Sequence, residues 1–137
     1  MLAAMKRTLV VAASAGLLAV AGCGSVGDRE AAASSVAVRM LRAVDGQDAA
    51  QACAVLAPQT VSELEDSAGK PCTEAILDEN LPKPGAVTGT AVYGEWAQVR
   101  LSDDTVFLAV FGDGWRVVAA GCSARGDQPY DCTLQGG

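Results

Sequence analysis

Chemistry in this chain falls to cysteine. Histidine is absent, and five thiols are spread along 137 residues as Cys23, Cys53, Cys72, Cys122 and Cys132. Without histidine a serine nucleophile lacks its usual base. Two of the lysines, Lys70 and Lys83, each precede a proline in what reads as a surface turn. No C-x-x-C pair is present, which argues against a zinc site and against dithiol redox catalysis. The acidic groups Glu63-Leu64-Glu65-Asp66 and Asp103-Asp104 lack the loop pattern that wraps calcium, so they read as a solvated helix face and a hairpin turn. Asp45 and Asp48 could form an acid/base pair, but a turn residue and a helix cap explain them better. Glycine-rich phosphate loops are absent as well. The expectation is a protein with no catalytic residues, no metal and no cofactor.

Cys23 stands where export chemistry would act. It follows a cationic tip, Lys6-Arg7, and a thirteen-residue apolar stretch, Leu9 to Ala21, with the small residues Ala21 and Gly22 directly before it. That stretch is too short to be a permanent membrane span and has the layout of a secretory signal peptide, residues 1–22. A thiol at the first position after the cut is an acceptor for a diacylglyceryl group, and Leu18-Ala19-Val20-Ala21-Gly22-Cys23 resembles the lipobox of bacterial lipoproteins. The resemblance implies that Cys23 is lipidated and heads a short tether, residues 23–29, at the outer face of the cytoplasmic membrane. Cleavage would remove two of the ten basic residues and none of the sixteen acidic ones, moving the formal charge from −6 to −8. So acidic a chain is repelled by nucleic acid and by anionic headgroups, which leaves membrane attachment to the acyl chains.

Four cysteines remain beyond Cys23, an even number in an exported chain, and they read as two disulfides with three connectivities open. Proximity in sequence favours Cys53–Cys72 and Cys122–Cys132.

The elements that position these residues divide into two halves. From Glu30 the apolar residues Val36, Met40, Leu41 and Val44 recur at helical spacing, until Asp45-Gly46-Gln47-Asp48 breaks the pattern. Shorter helices are expected over Ala49 to Leu56, from Pro58, and over Cys72 to about Asp78. Pro82, Pro84 and Gly85 then form a stiff link. Beyond it the period shifts toward two, and turn residues at Gly94-Glu95, Ser102-Asp103-Asp104 and Gly112-Asp113-Gly114 delimit four strands: Ala86 to Tyr93, Trp96 to Leu101, Thr105 to Phe111 and Trp115 to Ala120. Short loops make an antiparallel meander whose third strand, apolar on both faces, is central. The expected fold class is α+β, one domain over residues 30–137 with N-terminal helices packed on a curved sheet of about four strands. Tyr130, beside Cys132, is expected to pack the tail over the sheet edge.

Helix, Asp45-Gly46-Gln47-Asp48 turn, helical hairpin and curved meander together resemble the nuclear-transport-factor-2-like (SnoaL-like, cystatin-related) cone. The ending, Asp113-Gly114-Trp115-Arg116 through Gly121-Cys122 to Pro129-Tyr130-Asp131-Cys132, is similar to that of small actinobacterial lipoproteins. The resemblance implies a concave face on which Tyr93, Trp96, Phe107 and Trp115 would line a pocket for an apolar ligand. Ordinary cross-strand packing accounts for the same four rings. The expected function is a lipid-anchored binding or docking domain of the cell envelope, meeting an envelope protein or a small apolar ligand. Two alternatives are a SnoaL-like enzyme using carboxylates and Tyr130, and an accessory subunit of an envelope transporter or cell-wall complex.

Overall fold

Ser25-Val26-Gly27-Asp28 has the spacing of a capping box. In the computed structural model, which describes residues 24–136, it opens the first helix, α1 (Val26–Asp45). The Ser25 hydroxyl accepts from the Asp28 N–H at 3.1 Å, and the Asp28 carboxylate accepts from the Ser25 N–H at 3.2 Å. The helix therefore starts four residues before Glu30, and most of the expected tether is its first turn. Gly27, a poor helix former, masks this start in the sequence. Cys23 and residues 1–22 lie outside the described residues.

Ala33, Ala37, Met40, Leu41 and Val44 of α1 are buried, one stripe at helical period. The small Ala33 and Ala37 let the helix lie close across the sheet. Gln47 adopts a left-handed φ of 61° in the turn that follows, and Asp48 then caps α2 (Ala49–Ala54), accepting from the Gln51 N–H at 3.1 Å. Pro58 opens α3 (Pro58–Ala68), and left-handed Gly69 closes it. Glu65, expected on the wet side of this helix, is half-buried and accepts from the Cys72 N–H at 2.8 Å, at the start of α4 (Cys72–Ala75). A single 3₁₀ turn, Ile76–Asp78, follows.

The sheet has five strands, not four: β1 (Val87–Tyr93), β2 (Trp96–Leu101), β3 (Thr105–Phe111), β4 (Gly114–Arg125) and β5 (Gln128–Gln135), antiparallel in chain order. It is an open sheet with β3 in the centre. The fourth strand runs well past Ala120, and the tail returns as β5 instead of covering the edge. Gly126-Asp127, with Gly126 at φ 61°, closes that hairpin between Arg125 and Gln128. Pro129 is tolerated because β5 is an edge strand.

One face of the sheet carries Ala97, Val99, Leu101, Val106, Leu108, Val117, Ala120 and Leu134 against the helices, and the core also takes in Met40, Leu41, Leu56 and Ile76. Among the described residues the buried hydrophobic side chains run from Ala33 to Leu134. The α2–α3 connection is sewn to β4: Ala57 N–H donates to the Val117 carbonyl at 2.7 Å and Val117 N–H to the Val55 carbonyl at 2.9 Å. Both disulfides are present. Cys53–Cys72 joins α2 to α4, and Cys122–Cys132 joins residues directly opposite on β4 and β5. Such bonds persist in an oxidising, extracytoplasmic compartment. Among the described residues no helix is long and apolar enough to cross a membrane.

Candidate functional site: the outer face of the sheet

Period-two alternation sends Trp96, Gln98 and Arg100 of β2 away from the helices, together with their cross-strand partners Ala109, Phe107 and Thr105 on β3. Tyr93 lies opposite Trp96 across the β1–β2 pair and shares this outer face. Phe107 meets Tyr130 edge-to-face, ring centroids 5.0 Å apart, and the Gln98 Nε2 donates to the Tyr130 hydroxyl at 3.1 Å.

That contact shapes the sheet. Phe107 is level with Ala119, and Ala119 with Gln135, whereas Tyr130 is five residues farther along β5, about 17 Å in an extended strand. The β4–β5 arm must therefore bend back over the outer face. The bend falls at Gly121, whose φ is 65° and whose N–H, with that of Cys122, is held by the Asp104 carboxylate at 3.2 and 2.9 Å. Asp104, expected in a solvated turn, is buried. Burial pushes its carboxyl above the ordinary range, while the N–H groups of Cys122, Gly121 and Thr105 pull the other way. No signal in the local sequence marks it, because the groups it holds are far along the chain.

At the other end of this face a hollow of about 470 Å³ opens between the sheet and the start of α3. Trp96, Ala109, Phe111 and Val118 line it from the sheet and Pro58 from the helix, with Glu95 and Gln59 as its polar side chains. Thr60, fully buried, donates to the Val118 carbonyl at 2.9 Å and so fixes α3 beside β4. Arg116 braces the same corner: its Nη1 donates to the Ala54 and Leu56 carbonyls at 3.0 and 3.2 Å, and its guanidinium pairs with Asp113. That pairing holds the Asp113 carboxyl below the usual carboxylate range. The hollow is open and mainly apolar in its lining, suited to an aliphatic or aromatic group.

The four rings expected to share a pocket do not. Trp96 lines the hollow and Tyr93 stands exposed beside it on the same face. Phe107 lies farther along that face, under Tyr130. Trp115 belongs to the opposite face, packed against the helix-side core with the Arg29 guanidinium 5.5 Å above its ring. The curl at Gly121 and the bulge between Phe107 and Leu108 in the β3–β4 pair are what pattern alone does not register. Phe111 and Val118 are the lining residues that reading missed. Their signal was the alternation itself, which puts Phe111 on the face of Trp96.

A second, more open groove of about 720 Å³ runs beside α1, where Arg39 and Arg42 face Asp48, Gln51 and Val87. Asp48 is occupied as a cap and Asp45 pairs with Lys83 at 3.8 Å. Lys70 pairs with Asp78. Among the described residues no group of three or more His, Cys, Asp or Glu side chains is arranged to hold a metal.

The chain matches no protein-family model, no curated protein and no solved structure with which it was compared. What fold and site define is a class: an α+β domain with helices on one face of an open five-stranded antiparallel sheet, two disulfides, and a mainly apolar hollow on the other face.

Proposed function

We propose that this chain is an exported lipoprotein, anchored through Cys23 to the outer face of the cytoplasmic membrane, whose domain binds a small apolar ligand instead of catalysing a reaction. The observation that carries the binding reading is the hollow between Trp96, Phe111 and Pro58, which presents apolar surface with two polar side chains at hand. The disulfides support the compartment. The leader and the thiol that ends it support the anchor. Tyr130 supports packing rather than acid/base work, because its hydroxyl is taken up by Gln98.

Native mass spectrometry of the full chain purified from its host envelope tests the binding reading. The expected result is a small-molecule adduct that survives gentle desolvation and is lost in Trp96→Ala. A clean apo mass for both proteins would contradict it.

A further inference from the structure

Among the described residues, five of the six large hydrophobic side chains left exposed gather at one end of the domain. Val26, Tyr93 and Trp96 are more than half exposed, at 63%, 61% and 55%, and Val110 and Phe111 are at 37%. Antiparallel topology brings the β1–β2 and β3–β4 turns to the same end of the sheet, so Tyr93 and Trp96 flank one turn and Phe111 starts the other. The Val110 N–H donates to the Glu95 carbonyl at 2.9 Å, tying the two corners together. The first turn of α1 is pinned to this end as well. Arg29 donates to the Gly94 carbonyl and lies over Trp115, which brings Val26 alongside. The sixth exposed residue, Val87, is at the far end of β1.

From these placements we infer that this end of the domain docks on the lipid bilayer, with Trp96 and Tyr93 seated at the membrane–water interface. The inference rests on the proposed anchor at Cys23. Cys23 is three residues from Val26, and three residues reach at most about 10 Å, so an acylated Cys23 holds this end, and no other, against the headgroups. Tyrosine and tryptophan, with apolar rings and polar tips, favour that interface. The patch needs little affinity of its own, because the tether makes its contact with the bilayer intramolecular. Asp28, Glu95 and Asp113 stand at the same end as Arg29 and Arg116, of which Arg29 is engaged by the Gly94 carbonyl and Arg116 by Asp113, so the end has no basic excess and the contact is apolar rather than a pairing with anionic headgroups.

The test uses the chain from Cys23 to Gly137 coupled through the Cys23 thiol to a maleimide lipid in phosphatidylcholine vesicles, which supplies the tether whatever the cell does. Trp115→Phe leaves Trp96 as the one tryptophan, and wild type compared with Trp96→Phe gives the same reading if that variant folds poorly. Coupling to the vesicles should blue-shift Trp96 emission, bromine on the acyl chains should then quench it roughly twofold, as for an interfacial ring, and high salt should relieve neither. Tyr93→Ser with Phe111→Ser should remove most of the quenching. Trp96 emission indifferent to bromine on a coupled, folded chain would overturn the inference. So would burial of Trp96 against another protein in intact envelopes with no quenching in vesicles, which assigns the patch to a protein partner. The mass of Cys23 in cells is a separate readout, so failure of the anchor and failure of the docking are distinguishable.

Discussion

Asp104 shows how a single side chain can hold a bend. Its two oxygens occupy the N–H groups of Gly121 and Cys122, at the point where the β4–β5 arm turns back over the sheet. Asp104→Ala leaves the buried Cys122 donor and the half-buried Gly121 donor unpaired, and a loss of about 2 kcal/mol is expected in chemical denaturation. The pH dependence has a definite sign. The folded-state pKa of Asp104 is raised, so its contribution to stability is most favourable below about pH 3.9 and declines as pH rises through the ordinary aspartate range to its own higher value, above which it is flat. Asp104→Asn should remove that slope, read as the difference between variant and wild-type denaturation midpoints across acidic pH. An identical slope in both proteins would contradict it. From the sequence Asp104 looks like one more turn residue beside Asp103, because the partners that bury it lie seventeen and eighteen positions away. Trp96 and Tyr93 were expected in a shared concave pocket, and the alternation of β2 instead puts Trp96, with Tyr93 opposite it, on the face away from the helices. What was not legible is that Trp115 faces the other way, since the bulge in the β3–β4 pair changes its relation to Phe107.

Secondary structure was largely written in period and punctuation. The helices after Asp48 and Pro58 and the first three strands begin within about a residue of where cap, proline and turn residues put them. Two elements escaped. The start of α1 was hidden by Gly27 inside a genuine capping box, so Ser25→Ala should cost about 1 kcal/mol, measured by thermal unfolding. β5 was hidden because Pro129 and two polar stretches dilute its alternation, and the Cys122–Cys132 bond is what marks it as a strand partner. The helical staple matters more to stability. Cys53–Cys72 closes a sequence separation of 19 between two short helices of six and four residues, neither of which would form alone. Replacing both cysteines with alanine should lower stability by about 3 kcal/mol on the loop-entropy estimate, seen as a lower urea midpoint. An unchanged midpoint would mean that the α2–α4 region is held by packing and by the Glu65 cap alone.

At the scale of the whole molecule the domain is polarised. Helices cover one face of the sheet, an apolar hollow opens on the other, and the exposed aromatic residues collect at the end from which the chain leads back to Cys23. The proposed anchor fits this polarity: the chain is acidic and its exposed apolar end lies close in sequence to Cys23, so the proposal places membrane attachment on lipid rather than on charge. Cys23→Ser should leave the fold and both disulfides intact, because the disulfides use the other four cysteines and the described core runs from Ala33 to Leu134, and should shift the protein from the membrane fraction to the soluble one or arrest its processing. The measurement that bears most directly on this account is the mass of the N-terminal peptide of the wild-type protein recovered from host membranes. The account predicts a peptide that begins at Cys23 and carries a diacylglyceryl group. A peptide that reads back through Gly22 toward Met1, or an unmodified Cys23, would contradict it.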